Sequence, residues 1–450
     1  MTTLQQTAQK SASATPHIEN ENKIIHFIGC GGAGMGPLAS IMLERGWIVS
    51  GSDLCENKIT RTLQASGVKF FLGHDMAHLP EYCGLVVYSS AIKPCNPELE
   101  AARQRGLRLL RRGEMLAELA SSYRRPVAIS GSHGKTTITA MLAHIMSKCC
   151  NGCGFMIGGK LNHGPSAAAG DGDIFITEAD ESDGTHALIK PWLGIIPNIE
   201  DDHAWSVGGR DKLFDNFRVF GMQSRKIIYV DFPETRTLFF GHPDAIIIPN
   251  STSAYEHPQF TGFLGLNAAL AVAAATELGI EIEAARAALD SFPGVTRRMT
   301  IHYETPQMML LEDYAHHPTE LKASLDLLHM RYPHHYLRVF FQPHRYARLE
   351  RYAEGFAEQL RRADSVFIAP VFAAWVESGN QNHETLASAT GQHAIAINGN
   401  WQQQAALIMQ NIPAGKPLLL AVIGAGDLEQ VIPHVTAAMS RLTELKLQDN

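Results

Sequence analysis

The amino-acid sequence predicts an α/β protein with about three domains. The chain has 450 residues, which is enough for three domains of ordinary size. Two glycine-rich loops, the second beginning at Gly131, each follow a short apolar run and lead into a helical pattern. The last third of the chain again alternates apolar runs with helical stretches. Strands that alternate with helices are typical of parallel sheets covered by helices.

The composition excludes several classes of protein. Acidic residues outnumber basic ones, 45 to 38, and the net charge of −7 argues against a general nucleic-acid-binding protein. All seven cysteines lie in the first 153 residues, a usage that favours reduced thiols over a disulfide scaffold. No apolar run reaches the roughly 18 residues of a membrane span. We therefore expect a cytoplasmic protein without nucleic-acid or membrane partners. Residues 1–22 are polar and lack the apolar core of a signal peptide, and we expect them to form a disordered tail.

The first glycine loop lies within Lys23–Gly36, which reads as strand, loop and helix. Gly29, Gly31 and Gly34 match the pattern G-x-G-x-x-G, and Asp53 closes the next strand where a ribose-binding acid is expected. The physical requirement is only a diphosphate at a helix N-terminus and a nearby acceptor for a hydroxyl group. The pattern therefore leaves both NAD and a UDP-sugar open as ligands.

A third apolar strand, within Leu85–Ile92, ends in Ser89 and Ser90. The ends of such strands line ligand crevices in open α/β sheets. The two serines are therefore candidates for ligand contact, and the alternative is that they cap the next helix.

The second glycine loop has the sequence GSHGKTT, from Gly131 to Thr137, after the apolar run VAIS. Glycines let backbone N–H groups converge on an anion, the following helix adds the positive end of its dipole, and Lys135 adds a mobile charge. A threonine after the lysine is suited to hold Mg²⁺. The strict Walker pattern has glycine where this chain has Ile129. The loop predicts a nucleoside triphosphate site, and the alternative is an ordinary glycine-rich turn.

Clustered acidic residues follow the next predicted strand: Glu178, Asp180, Glu181 and Asp183. Such carboxylates repel one another unless a cation neutralises them, and Mg²⁺ is the simplest candidate. The alternative is a solvated acidic loop. A further strand leads to residues 200–203, which again combine carboxylates with an imidazole.

Aromatic and imidazole side chains follow a buried strand in the last third, at Tyr314, His316 and His317. Neighbouring side chains of an extended chain point in opposite directions. We therefore expect the histidines to position a substrate rather than to form a metal pair.

The following strand leads to His344, Arg345 and Arg348. Guanidinium groups bind carboxylates through paired hydrogen bonds. We expect this cluster to bind a carboxylate. The alternative is a surface ion pair with Glu350.

Taken in order, the segments GCGGAGMG, SSAI, GSHGKTT, EADESD, NIEDDH, FPGVTRRM, EDYAHHPTE and FQPHRYAR resemble the Mur ligase family. The resemblance extends from Lys23 to about Leu428 and is specific as a combination. It implies a Rossmann-like UDP-sugar-binding domain at 23–122 and a P-loop ATPase-like domain at 123–298. A Rossmann-like C-terminal domain at 299–450 would then bind the amino acid.

The resemblance also implies a reaction, namely ATP-dependent joining of L-alanine to UDP-N-acetylmuramate through an acyl phosphate, in peptidoglycan precursor synthesis. ATP and Mg²⁺ would be the cofactors, and the protein would be a monomer or a homodimer. Two alternatives remain. One is a ligase for another amino acid or for recycled peptide. The other is a non-catalytic UDP-sugar- or nucleotide-binding paralogue, because Phe263 and Leu264 replace a His-Asn pair of the family and only Asn267 is kept.

Roles of individual residues follow from the same resemblance. Lys135 would contact the β- and γ-phosphates, Thr136 and Glu178 would hold Mg²⁺, and His203 would bind a second ion. Arg298 and Asp313 would contact the nucleotide. The nucleotide-binding set is Gly131, Ser132, His133, Gly134, Lys135, Thr136, Thr137, Asn267, Arg298 and Asp313. The UDP-sugar set is Gly31, Gly32, Ala33, Gly34, Met35, Asp53, Ser89 and Ser90, and the amino-acid set is Tyr314, His316, His344, Arg345 and Arg348.

Overall fold

The computed structural model of the chain describes residues 23–202, 204–251, 259–374, 378–413 and 415–448. These residues form three sheets in which most strands run parallel, and this confirms the predicted α/β class. Within the described ranges, none of the helices has the length and apolar character that a membrane span requires. The seven cysteines are free thiols.

The chain divides into two compact units. The first contains the residues up to 135 together with 146–158 and 166–248. The second contains 136–145, 159–165 and the residues from 249 onward. The domain boundaries expected at 122 and 298 stay a prediction.

The first sheet, in the first unit, has the strand order β3-β2-β1-β4-β5, and all of its strands are parallel. Strands β2 and β3 lie on one side of β1, whereas β4 and β5 lie on the other. The direction in which strands are added therefore reverses at β1, and the crevice between the ends of β1 and β4 is a topological switch point. The strands are β1 (Ile24–Ile28), β2 (Ile48–Asp53), β3 (Lys69–Leu72), β4 (Leu85–Tyr88) and β5 (Arg108–Arg111). The helices are α1 (Met35–Glu44), α2 (Lys58–Ala65), α3 (Pro97–Gln104) and α4 (Arg112–Ser121).

The second sheet belongs to the same unit and has the order β12-β11-β10-β6-β9-β7-β8, in which β7 and β8 are antiparallel. The central strand β6 lies between β9 and β10, so the carboxyl ends of these three strands share one edge. The strands are β6 (Arg125–Ile129), β7 (Gly154–Met156), β8 (Ala167–Ala168), β9 (Ile174–Glu178), β10 (Leu193–Ile196), β11 (Lys226–Val230) and β12 (Ala245–Ile248). The helices are α5 (Lys135–Cys149), α6 (Ala204–Val207), α7 (Arg210–Gln223) and α8 (Pro233–Phe239).

The third sheet lies in the second unit and has the order β13-β14-β18-β15-β16-β17, with β13 antiparallel to β14. The ends of β14, β18 and β15 are neighbours on one edge. The strands are β13 (Thr300–Glu304), β14 (Met308–Asp313), β15 (Tyr336–Phe341), β16 (Ser365–Ile368), β17 (Ala394–Ala396) and β18 (Leu418–Ile423). The helices are α9 (Phe263–Glu277), α10 (Ile282–Leu289), α11 (Pro318–Arg331), α12 (Tyr346–Leu360), α13 (His383–Thr390), α14 (Trp401–Ile408) and α15 (Ile432–Gln448).

Apolar side chains explain why these elements pack. In the first unit a continuous core joins β1 residues such as Phe27 to Phe175 of β9 and Phe217 of α7. In the second unit separate cores cover the two faces of the third sheet, one around Phe341 and the other around Phe340. Alternate residues of β15 therefore face opposite cores, as expected for a parallel strand covered on both sides.

A buried carboxylate fastens the first sheet to α3. Glu98 is fully buried and accepts a hydrogen bond from the Ser52 hydroxyl at 2.6 Å. Nδ1 of His78 lies 3.0 Å from Oε1 of Glu98, and Nε2 of His26 lies 3.5 Å from Oε2. Burial acts to raise the pKa of Glu98, but these partners hold it below its ordinary value. The carboxylate is therefore ionised, and it ties β1, β2 and α3 together.

We predict that Glu98→Ala lowers the free energy of unfolding by about 3 kcal/mol, because it leaves several buried polar partners unsatisfied. Urea denaturation followed by circular dichroism measures the change. Glu100→Ala, at an exposed position of the same helix, serves as the control and should change stability by less than about 0.5 kcal/mol. Equal effects of the two substitutions would contradict the prediction.

Candidate active site

The predicted phosphate loop lies between β6 and α5. Its backbone requires glycine at two positions, because φ is +142° at Gly131 and +88° at Gly134. A Cβ atom at Gly131 would also lie 2.6 Å from the carbonyl oxygen of Asn198. The loop therefore has a positive φ angle at two residues and packs closely against the residues that follow β10.

Those residues clamp the loop through hydrogen bonds. The N–H group of His133 donates to Oδ1 of Asn198 at 2.8 Å, and Nδ2 of Asn198 donates to the His133 carbonyl at 3.1 Å. The N–H group of Glu200 donates to the Ser132 hydroxyl at 2.7 Å. Sequence reasoning did not find Asn198, although it follows the β10 strand at the expected sheet edge.

Lys135 begins α5, and its side chain folds back over the loop. Its Nζ donates to the Gly131 carbonyl at 2.6 Å and forms an ion pair with Glu181 at 2.7 Å. Burial acts to lower the pKa of Lys135, but the facing carboxylates, Glu181 first, hold it above its ordinary value. Burial raises the pKa of Glu181, and Lys135 opposes that shift. The lysine therefore carries its positive charge inside the loop.

Glu178 ends β9 and pairs in register with Ile129 of β6. Its carboxylate lies against Gly158, where an added Cβ atom would be only 1.1 Å from Oε1. Any side chain at position 158 would therefore displace the carboxylate. Sequence reasoning missed Gly158, although the pair Gly158-Gly159 directly after an apolar run was a signal of close approach.

The other acidic residues of this segment are held by Arg112. Its guanidinium lies 2.5 Å from Asp183 and 3.9 Å from Asp180. Glu181 is 1% exposed, so the alternative of a solvated acidic loop is wrong for that residue. Arg112 was not among the predicted residues, because nothing near it in the sequence resembles a binding motif.

Three predicted residues of this region remain: the metal ligands Thr136 and His203, and the nucleotide-binding residue Thr137. Thr136 and Thr137 lie in the first turn of α5 and belong to the second unit. His203 lies outside the described residues.

The first glycine loop is braced by residues of β2 and α2. The N–H group of Gly31 donates to Oδ2 of Asp53 at 2.8 Å, and Nδ2 of Asn57 donates to the Gly31 carbonyl at 3.0 Å. At Gly34 an added Cβ atom would lie 2.9 Å from Cδ of Arg112. One oxygen of Asp53 therefore supports the loop itself. The other loop residues of the predicted set are Gly32, Ala33 and Met35, the last buried at the start of α1.

Ser89 follows β4 at the switch point, where its Cβ atom lies 3.2 Å from the position of a Cβ on Gly29. Its hydroxyl accepts a hydrogen bond from the Ala91 N–H group at 3.3 Å. Helix α3 is capped by Asn96, which accepts from two of its first N–H groups. The alternative that Ser89 and Ser90 cap the next helix is therefore wrong.

In the second unit, Asp313 ends β14 and is 4% exposed. It accepts hydrogen bonds from the Ser324 hydroxyl at 2.5 Å and from the Met299 N–H group at 3.2 Å. Burial raises the pKa of Asp313, and Arg298 opposes that shift. Asp313 thus fastens the segment that precedes β13.

That segment has a strained backbone, with φ of +62° at Arg297 and +50° at Met299. The guanidinium groups of Arg297 and Arg298 lie 5.0 and 4.9 Å from the centre of the Tyr314 ring. Arg298 also lies 3.8 Å from Glu320. The predicted Tyr314 and Arg298 therefore form one cluster.

Two predicted imidazoles lie beside this cluster. Nδ1 of His316 lies 3.0 Å from the Tyr314 carbonyl, and the His344 ring lies 5.8 Å from the His316 ring. His317 contacts Tyr352 instead, which confirms that the adjacent histidines diverge. Burial lowers the pKa of His316 to about 4 and that of His344 to about 3. Both rings are therefore neutral at neutral pH.

The positive charge of this region comes from arginines. NH1 of Arg348 lies 3.2 Å from Nδ1 of His344, whose ring stacks on Phe372 at 5.4 Å. Arg348 is only 7% exposed, so the alternative of a surface ion pair is wrong for it. Arg345 has φ of +68° at the N-cap of α12, a strained backbone of the kind found at functional sites.

Asn267 lies on α9 and is 6% exposed. Its Nδ2 has no hydrogen-bond partner among the described residues. A buried donor of this kind is costly unless a ligand or water satisfies it.

Comparisons with known proteins show the family and the fold. The profile of the Mur ligase family, catalytic domain, matches residues 24–124. The chain is 35% identical over 394 residues to a UDP-N-acetylmuramate--L-alanine ligase of Syntrophomonas wolfei, covering 79% of this chain and 84% of that protein. It is also 35% identical over 396 residues to the bifunctional enzyme MurC/Ddl of Chlamydia trachomatis, of which it spans 49%. The crystal structure of UDP-N-acetylmuramate-alanine ligase MurC from Thermotoga maritima has the same fold, with a TM-score of 0.76, 23% identity, and coverage of 93% of this chain and 99% of that one.

We predict that the low pKa of His344 makes the protein less stable in acid. An unfolded histidine binds a proton near pH 6.5, whereas folded His344 does so near pH 3, so the unfolded state binds more protons between these values. Stability should therefore rise with pH from about 4 to 6.5, and His344→Gln should remove about 2 kcal/mol of that rise. Urea denaturation at several pH values measures the slope.

The control for this prediction is His434→Gln, which removes an exposed histidine of α15. If the two variants have the same slope of stability against pH, the assignment to His344 is wrong.

Proposed function

Since the chain belongs to the Mur ligase family, we propose that it is an ATP-dependent amide ligase that joins L-alanine to UDP-N-acetylmuramate in peptidoglycan precursor synthesis. The observation that carries the proposal is the phosphate loop, in which two left-handed glycines and a protonated lysine face the carboxylate-bearing end of β9. We propose the cytoplasm as its location, where ATP is made and free thiols such as these persist.

The loop is suited to hold the ATP phosphates. Its backbone N–H groups and the first turn of α5 provide donors and a positive dipole end, and Lys135 adds a full charge. The unsatisfied Nδ2 of Asn267 supports a contact with the nucleotide base. We also propose that Arg298 and Asp313 contact the nucleotide.

The residues present fit a magnesium ion. Glu178 has its carboxylate at the sheet edge against Gly158, and Thr136 has its hydroxyl in the first turn of α5. Both groups are hard oxygen donors, which Mg²⁺ prefers. His203 is the proposed ligand of a second ion. Bound Mg²⁺ would reduce the repulsion between the substrate carboxylate and the triphosphate.

The first glycine loop is the proposed site of the UDP diphosphate. Gly31 to Met35 lead into α1, and Arg112 lies beside Gly34. Asp53 ends β2 and Ser89 follows β4, the two strands that flank β1, and ribose hydroxyls are commonly bound at such strand ends.

Arg345 and Arg348 are the proposed ligands of the alanine carboxylate, which guanidinium groups bind in a fixed orientation. His316 and His344 are neutral there and therefore do not repel the ammonium form of the substrate. In the proposed reaction the sugar carboxylate attacks the γ-phosphate of ATP, and ADP leaves. The alanine ammonium group loses a proton, and the free amine then attacks the carbonyl carbon of the acyl phosphate. The tetrahedral intermediate collapses to the amide and inorganic phosphate, with loss of a second proton from the nitrogen. The fixed orientation of acid and amine replaces a bimolecular encounter.

We predict phosphate release that depends on UDP-N-acetylmuramate, ATP, Mg²⁺ and L-alanine together. Glycine and serine, offered in place of alanine, test the choice of amino acid. Lys135→Ala should abolish release because it removes the charge inside the loop, whereas Lys148→Ala, at an exposed position of the same helix, should leave it unchanged. The absence of release with every amino acid would favour a non-catalytic binding protein, which the replacement at Phe263 and Leu264 suggests.

We predict that Gly158→Ala lowers kcat about 100-fold, since the added methyl group would displace the Glu178 carboxylate. Glu178→Ala and the double variant complete the test. If Gly158 acts through Glu178, the double variant is no slower than Glu178→Ala alone. A double variant that is much slower than Glu178→Ala would contradict this account.

A further inference from the structure

Within the phosphate loop, Lys135 already has partners that belong to the chain. Its Nζ lies 2.6 Å from the Gly131 carbonyl, 3.3 Å from the Ser132 carbonyl and 2.7 Å from a carboxylate oxygen of Glu181. A lysine ammonium has three N–H groups, so three oxygen acceptors are enough to satisfy it. A phosphate oxygen that approaches Nζ must therefore replace one of these partners.

Glu181 is the partner with which a phosphate competes most directly. It is the anion among the three, whereas the two carbonyl groups are neutral. It is 1% exposed, and the side chain of Lys135 is 17% exposed, so water screens the pair only weakly. A buried carboxylate that loses its cation becomes costly, and this cost opposes the arrival of the nucleotide.

The position of Glu181 is fixed by the fold. It follows β9 by three residues, and the neighbouring Asp180 and Asp183 are held by Arg112. Asp180 also acts on Lys135 through its charge, but Glu181 is the member of the segment that forms the direct ion pair with Lys135.

We infer that Glu181 is a positioning residue that occupies Lys135 in the absence of nucleotide and is displaced by the phosphates. The inference rests on the proposed function, because it assumes that the loop binds a nucleotide. A ligand that binds only after an internal contact opens has its affinity reduced by the fraction of molecules in the open state. The chain thus weakens its own affinity for nucleotide, and ADP release after turnover becomes easier.

The test is the binding of ADP without Mg²⁺, in the presence of EDTA, measured by isothermal titration calorimetry. We expect Glu181→Gln to bind ADP at least fivefold more tightly than the unsubstituted protein. Glu181→Ala should change affinity in the same direction and covers the case in which Glu181→Gln folds poorly. Asp183→Asn is the matched control, because it removes one negative charge from the same segment at a residue that pairs directly with Arg112. Its effect should stay below twofold.

A double-variant comparison separates the ion pair from general electrostatics. In the Lys135→Ala background, Glu181→Gln should change ADP affinity by less than twofold, because the residue acts through the lysine. The inference is overturned if Glu181→Gln and Asp183→Asn have equal effects, if Glu181→Gln binds no more tightly, or if its effect persists without the lysine. If the unsubstituted protein binds neither ADP nor ATP, the proposed function itself fails. Unchanged affinity in a protein that does bind nucleotide overturns the inference alone.

Discussion

The parallel register of β9, β6 and β10 is the constraint on which the phosphate loop depends. Because the three strands run in the same direction, their carboxyl ends lie side by side on one edge. That edge carries a glycine loop, a carboxylate and an amide side chain, from Gly131, Glu178 and Asn198 respectively. Residues about 20 to 70 positions apart in the sequence thus come together without any one segment containing the whole site.

The sequence predicted the fold class and the backbone geometry of the phosphate loop, for a physical reason. Glycine loops after apolar strands depend on local backbone geometry, so Gly131 and Gly134 are recognisable from neighbouring residues alone. Charged residues at strand ends, such as Glu178 and Asp313, are recognisable in the same way. The alternation of strands and helices predicted the sheet class. The alternative that Ser89 and Ser90 cap the next helix is wrong because Asn96, a stronger local cap, lies directly before α3.

Residues that act through tertiary contacts were not predictable. Gly158 matters because of the carboxylate that packs on it from another strand, and Asn198 matters because the loop of β6 lies beside it. The protonation states of His316 and His344 were also not predictable from the sequence, since their neutral form comes from burial and from nearby arginines. Sequence patterns indicate which groups are available, whereas burial and partners determine their charge.

Arg112 has a consequence for the electrostatic potential of the first unit. The same guanidinium lies beside Gly34 of one glycine loop and forms ion pairs with Asp180 and Asp183 of the acidic segment. One guanidinium therefore serves a proposed anion-binding loop and an acidic segment at once. A change that neutralises Asp183 frees positive charge near Gly34, so the potential in one region depends on the charge state of the other.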